Sequence, residues 1–214
     1  SLEYINHAGR FGPAQILQAL KLRPKGSLCL YGPPGTGKTQ FVEYLAQQMG
    51  KRLISKRASD LLSKWLGDNE RNLAAMFQEA EEEDAILFLD EGDSFLRDRS
   101  LAHHSWEVTT VNELLQGMER FPGVFIVATN LFRGLDTAAL RRFTFKLELR
   151  ALSPEQRWNM FVSGTGLKKT LAEIARTQKD SWKADLYQMH QLAAGDFATV
   201  KRQCILLGET LSPD

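Results

Sequence analysis

Gly32-Pro33-Pro34-Gly35-Thr36-Gly37-Lys38-Thr39 is an uninterrupted G-x-x-x-x-G-K-[ST] loop. Glycines let the backbone wrap closely, so that several N–H groups converge on an anion. In such a loop Lys38 reaches the β- and γ-phosphates of a nucleotide and the Thr39 hydroxyl ligates Mg²⁺. The nucleotide cradle is then Pro33, Pro34, Gly35, Thr36, Gly37, Lys38, Thr39 and Gln40. The flanks agree. Leu28–Tyr31 is an apolar, strand-like run, and Gln40–Met49 reads as a helix with Phe41, Val42, Leu45, Ala46 and Met49 on one face and Gly50 as its stop. The loop therefore joins a strand to a helix N-terminus, whose partial positive charge favours phosphate. An accidental lysine in a Gly/Pro-rich turn would not come with both flanks in place.

The bulk numbers restrict the surroundings. A chain of 214 residues makes one large domain, or one domain with a small appendage. A formal net charge of +1 gives no global pull toward nucleic acid or anionic membrane. No apolar run reaches membrane-spanning length and no secretory signal opens the chain. Cys29 and Cys204 lie far apart and read as two unrelated reduced thiols, which suits a cytoplasmic setting. The chain opens at Ser1 rather than Met, as an excised piece of a longer protein would.

The first 150 or so residues alternate strand and helix signals, the pattern of a parallel sheet covered on both faces. Strands are expected at Ser27–Tyr31, Arg52–Lys56, Ala85–Asp90, Val124–Ala128 and Phe145–Leu149. Apolar stripes at Leu73, Met76, Phe77 and Ala80, and at Val108, Val111, Leu114, Leu115 and Met118, mark two of the helices between them. After Leu149 the strands stop. Ser153-Pro154-Glu155-Gln156 is a helix start, with Ser as N-cap, Pro at N1 and Gln at N3. Further helices are expected near Leu167–Thr177, Trp182–Ala194 and Phe197–Leu207, with Gly195 and Gly208 ending the last two. The division expected is a nucleotide-binding α/β part over residues 1–150 and a small helical part over 151–214. Glu79 to Asp84 is a short acidic run that reads as an exposed helix end.

Ala85-Ile86-Leu87-Phe88-Leu89-Asp90-Glu91 is an apolar run ending in two acids. A charge pair at the edge of a buried strand is expensive unless it faces a site. Beside a phosphate loop it has a use: Asp90 holds Mg²⁺ through its water shell, and Glu91 orients and deprotonates an attacking water. An adjacent Glu suits hydrolysis rather than transfer to a bound acceptor.

With these two motifs placed, the chain resembles the AAA+ ATPases, and within them the AAA clade of spastin, katanin and the p97-like unfoldases. The likeness runs from about Leu28 to Leu149. Gly32–Thr39 is similar to Walker A, Leu87–Glu91 to Walker B, and Asp90-Glu91-Gly92-Asp93-Ser94 to the family's D-E-x-D-S. Val127-Ala128-Thr129-Asn130 resembles the strand end that carries sensor 1, which implies that Asn130 helps place the attacking water. The resemblance implies a P-loop α/β fold with a five-stranded parallel sheet in the order 5-1-4-3-2 and a helical lid over ATP or ADP with Mg²⁺.

Two more matches bear on function. Ser63-Lys64-Trp65-Leu66-Gly67 is similar to the family's first pore loop, so Trp65, Leu66 and Gly67 are implied to grip an extended polypeptide in the channel of a ring. A flat aromatic beside a glycine contacts many side-chain types without demanding one; a core position for Trp65 is the plainer alternative. Leu135–Phe143 resembles the arginine-finger segment in its spastin and katanin form, so Arg141 or Arg142 is implied to enter a neighbour's site in a homo-oligomer, a hexameric ring when ATP is bound. The plainer alternative is two surface arginines pairing with local acids.

The chain also departs from the family. Residues 1–25 lack an Asp-Ile-Gly-Gly-like entry segment, so the adenine pocket is not assigned. Thr144 stands where an Asp is common. Gly195-Asp196-Phe197 falls where other AAA+ groups carry a sensor 2 arginine; Lys201 or Arg202, a turn later, could substitute in part.

His103-His104 has no accompanying Cys or acid cluster and does not read as a metal site; in a ring it would fall on a second pore loop. Trp158 and Phe161, three apart, read as core, and Lys168-Lys169 as a solvated face. Three function classes follow: ATP-driven protein remodelling in a ring, an AAA+ nucleic-acid machine of clamp-loader or helicase-loader type, or a nucleotide-binding switch with little turnover, against which Asp90, Glu91, Asn130 and the arginines argue. Near-neutral charge and the lack of a basic stripe favour the first and make nucleic acid a poor partner. No membrane insertion is expected.

Overall fold

In the computed structural model the described residues are 2–62, 68–97, 105–131, 133–165, 167, 172 and 174–208, with the backbone alone for 105–107. They divide into two compact units, one of Ser1–Asn6, Pro34–Gly37 and Leu149–Asp214, the other of His7–Pro33 and Lys38–Glu148.

The sheet has strands β1 (Asn6–Ala8), β2 (Gly26–Tyr31), β3 (Leu53–Arg57), β4 (Ile86–Asp90), β5 (Val124–Thr129) and β6 (Phe145–Arg150), in the spatial order β1-β6-β2-β5-β4-β3. The expectation of five strands is corrected to six. The five expected strands keep the expected order, and β1 is added at the edge beside β6. Asn6-His7-Ala8 has neither alternation nor β-branched residues, so its pairing comes from its neighbour and not from propensity.

The other pairings are parallel. They run Leu28↔Ile126 to Tyr31↔Thr129, Leu28↔Phe145, Leu87↔Phe125 and Arg57↔Asp90 in register. β5 is buried at all six positions and β2 at its middle four, as strands covered on both faces require. Alternation along β4 and β5 then sends Leu87, Leu89, Phe125 and Val127 into one core with Leu73, Met76 and Ala80 of α4 (Asp68–Glu82) and Val111, Leu114, Leu115 and Met118 of α6 (Ser105–Arg120). The acidic run at the end of α4 is exposed, and it is also paired: Glu79 meets Lys56 at 2.7 Å, Glu83 meets Arg52 and Asp84 meets Lys51.

In the other unit, α8 (Pro154–Gly164) opens with the expected capping box. Gln156 N–H donates to Ser153 Oγ at 3.2 Å, and Ser153 N–H donates to Gln156 Oε1 at 3.0 Å. α9 runs Arg176–Gln188 and α10 runs Ala194–Leu207, closed by Gly208 at φ 69°. The expected helix Trp182–Ala194 is thus corrected: it starts earlier and stops at Gln188, and Gly195 lies in the first turn of α10 instead of ending α9. Asp196 starts α10 by accepting the Ala193 N–H at 2.7 Å. Ala193 is not a capping residue type, which hid that start. Of the helix expected near Leu167–Thr177, residues 168–171 and 173 lie outside the described residues, Lys168-Lys169 among them, and Arg176 and Thr177 already belong to α9.

Trp158 and Phe161 are half-buried rather than core. They stack with each other, and Phe161 also meets Trp182, with ring centroids 5.8 and 5.7 Å apart. Arg157 and Val162 are the buried residues of α8, and Arg157 Nη1 donates to the Leu186 carbonyl at 2.6 Å. Gly195 N–H donates to the Gly35 carbonyl at 2.9 Å, and a Cβ on Gly195 would lie 3.0 Å from the Gly35 Cα. That approach leaves a side chain little room.

Candidate nucleotide site

β2 ends at Tyr31 and α2 (Lys38–Met49) begins at Lys38, so Gly32–Gly37 forms the turn between them. Gly35 and Gly37 take φ 75° and 93°, left-handed values that a side chain would resist. Lys38 is 8% exposed, and its Nζ donates back to the carbonyls of Gly32 and Pro33 at 2.7 and 2.8 Å. Burial pulls its pKa down to about 8, opposed by the charges of Asp90 and Asp93. The amino group stands inside the loop it would share with phosphate.

β4 carries Asp90 to the same place. Thr39 Oγ1 donates to Asp90 Oδ2 at 3.5 Å, and the Glu91 N–H donates to Asp90 Oδ1 at 2.9 Å. A hydroxyl and a carboxylate side by side form an all-oxygen donor set that suits a hard cation. Among the described residues there is no cluster of three or more His, Cys, Asp or Glu that could hold a metal. Two protein oxygens, with the rest from phosphate and water, fit the habits of Mg²⁺.

Glu91 is exposed and sits at φ 55°, left-handed for a residue with a Cβ. Such a conformation costs roughly 1–3 kcal/mol and persists where neighbours over-determine it. The next residue supplies that constraint. Gly92 N–H donates to the Ala128 carbonyl at 2.8 Å, and a Cβ on Gly92 would lie 2.4 Å from Val127 Cγ2. Glycine at this point lets the end of β4 close against β5 and turns Glu91 outward.

Asp93 is the residue that sequence reasoning left without a role. Its Oδ1 accepts the Thr129 hydroxyl and the Asn130 N–H, the latter at 3.0 Å, and Thr129 Oγ1 in turn accepts the Leu131 N–H at 3.0 Å. Thr129 is buried and Asn130 exposed. Asp93 therefore ties the turn after Glu91 to the strand end carrying Asn130. Its place in Asp90-Glu91-Gly92-Asp93-Ser94 was the available signal. Asp93→Ala should leave nucleotide affinity near wild type and lower kcat by about 10²-fold, the scale of an ångström-sized misplacement. An unchanged kcat with a lowered unfolding temperature would reduce Asp93 to a structural tie.

The segment Leu135–Phe143, where the finger is expected, contains α7 (Thr137–Arg141). Arg141 is exposed; Arg142 is bound to Glu119, with Nε to Oε1 at 2.6 Å and Nη2 to Oε2 at 2.8 Å. The hydrogen bond from Arg142 holds the Glu119 carboxyl below its ordinary range, and the same bond raises Arg142. This pairing is fully in place above the ordinary carboxylate pKa and is lost as pH falls through the lowered value. Thr144, in place of the family's common Asp, donates its N–H to Ser27 Oγ at 3.1 Å. Trp65, Leu66 and Gly67, and His103-His104, lie outside the described residues. Both cysteines are free, and burial pushes the Cys29 thiol up to about 12.

The chain is 32% identical over 183 residues to a "Mitochondrial sorting homolog" of Caenorhabditis elegans, covering 80% of this chain and 54% of that protein. It is 36% identical over 188 residues to an "Outer mitochondrial transmembrane helix translocase" of Xenopus tropicalis, covering 81% and 51%. It is 36% identical over 138 residues to spastin of Drosophila melanogaster, covering 61% of this chain and 18% of spastin. The chain thus spans about half the length of the mitochondrial relatives and less of spastin. The sequence profile of the "ATPase family associated with various cellular activities (AAA)" matches residues 28–151, from β2 through the end of β6. With its loop, its acidic strand end and its parallel sheet in the matched span, the chain belongs to the AAA family of ATPases, whose domain takes ATP or ADP with Mg²⁺.

Proposed function

We propose that the chain hydrolyses ATP to remodel polypeptides as a subunit of a ring, in the cytoplasm. The observation that carries this reading is the meeting of Thr39 with Asp90 beside the buried Lys38 and the turned-out Glu91. The loop N–H groups of residues 33–40 and the Lys38 ammonium bind and orient the phosphates. Thr39 and Asp90 would hold Mg²⁺, which supplies charge neutralisation across the β- and γ-phosphates. Glu91 takes the proton from the attacking water, and Asn130 orients that water. An arginine from residues 141–142 of a neighbouring subunit compensates charge at the γ-phosphate. The similarity to a protein named a transmembrane helix translocase supports polypeptide as the substrate. Two free cysteines suit a reducing compartment. Among the described residues no helix is long and apolar enough to cross a membrane.

The test is specific ATPase activity as a function of protein concentration, with unfolded polypeptide or DNA added. Activity that rises with concentration and is stimulated by polypeptide supports the ring; equal turnover by the isolated subunit refutes it. Stimulation by DNA alone would favour the loader class. Trp65→Ala is expected to keep most basal ATPase and lose the polypeptide stimulation. A variant that unfolds instead would place Trp65 in the core.

A further inference from the structure

Arg141 and Arg142 are adjacent in sequence, and the fold uses them differently. α7, which ends at Arg141, is held at both ends and along its inner face. The Asp136 carboxylate caps its start, accepting the N–H groups of Ala138 and Ala139 at 2.8 and 3.1 Å. Lys146 Nζ caps its end, donating to the carbonyls of Leu140 and Phe143 at 3.2 and 2.9 Å. Its Ala139 and the following Phe143 are buried in the core. Arg142 then reaches sideways and grips both oxygens of Glu119, near the last turn of α6, in the two-point geometry that a guanidinium makes with a carboxylate. Arg141 is exposed and makes no hydrogen bond or ion pair among the described residues.

The two side chains face different losses on meeting a phosphate. Arg142 would have to give up a two-point bond to Glu119, and Arg141 gives up water. The Arg142 and Glu119 side chains are 30% and 49% exposed, so their pairing contributes little to global stability. What it does contribute is direction: it fixes the C-terminal end of a five-residue helix to a sixteen-residue one. We propose that the arginines divide the work: Arg141 reaches the neighbour's γ-phosphate, and Arg142 is a positioning residue whose grip on Glu119 aims Arg141. This rests on the reading above that the segment acts between subunits.

The experiment measures kcat for ATP and the thermal unfolding midpoint on the 214-residue chain. Arg141→Ala should lower kcat by about 10³-fold or more, as loss of an arginine finger does, without moving the midpoint. Arg142→Ala and Glu119→Ala should each lower kcat about 5- to 10-fold, the scale of one partly exposed ion pair. The double variant should be no worse than either single one, because both remove the same contact. The swapped pair Glu119→Arg/Arg142→Glu should return kcat to within about twofold of wild type. Should Arg142→Ala not fold, Arg142→Lys, which keeps the charge, is expected to lose less than Glu119→Ala. The division is overturned if Arg142 variants lose as much as Arg141→Ala, the swap fails to recover and Glu119→Ala is neutral; Arg142 then touches phosphate itself. Normal turnover by Arg141→Ala would remove both the division and the intersubunit finger, a result distinct from the previous one.

Discussion

Lys38→Ala is expected to abolish measurable ATP binding. In the free protein the ammonium is already buried and tied to the carbonyls of Gly32 and Pro33, at the mouth of a loop whose glycines leave no side chains to contribute. Nucleotide binding exchanges those carbonyls for phosphate oxygens. A charge-assisted hydrogen bond is worth about 1.5–3 kcal/mol, and two of them lost on the β- and γ-phosphates weaken binding by roughly 10²- to 10⁴-fold. The fold should survive. The same substitution removes a buried charge as well as its bonds, and of the two released carbonyls that of the exposed Pro33 lies where water can reach it. Titration with a fluorescent ATP analogue, with circular dichroism as the folding control, checks both parts. Affinity within a few fold of wild type would show that phosphate does not sit at Lys38.

Glu91→Gln is expected to bind ATP normally and lower turnover by about 10²- to 10⁴-fold, the usual contribution of a positioned general base. Gln has the shape of Glu and tolerates φ 55° no worse, so the turn through Gly92 to Asp93 is preserved. The amide still reaches the water and cannot take its proton. ATP should therefore persist in the site and hold any ring together. Light scattering of this variant with and without ATP reads the assembly, and single-turnover kinetics read the chemistry. Wild-type turnover would remove Glu91 as the base. Mixing Glu91→Gln subunits with Arg141→Ala subunits should restore part of the activity that each lacks, because each supplies what its neighbour needs.

The two motifs that define the site were legible because their chemistry is local. Eight consecutive residues make the loop, and Leu87–Glu91 changes from buried strand to acid within five positions. The same locality made β2, β4 and β5 readable as continuous apolar runs. Boundaries were less legible where the stop signal came from elsewhere. α9 ends at Gln188 without a glycine, and the Leu192 carbonyl just beyond it accepts the Leu152 N–H at 2.9 Å, a contact from outside the helix. β1 exists because β6 offers it an edge.

The phosphate loop and the acidic strand end are short local patterns, and glycine, lysine and acid in fixed order have few other uses; the finger segment came only with the family resemblance that those two motifs carry. The roles of Gly92, Asp93 and Glu119 did not follow, since each depends on a partner far along the chain. Val127 crowds the Cβ that residue 92 lacks, Thr129 and Asn130 meet Asp93 across some 36 residues, and Arg142 meets Glu119 across 23. A hydrogen bond falls off within ångströms, so such pairings come into being when the sheet brings β4 beside β5 and the finger helix beside α6. That is why one sequence can name two neighbouring arginines as candidates, and the packed chain is needed to tell them apart.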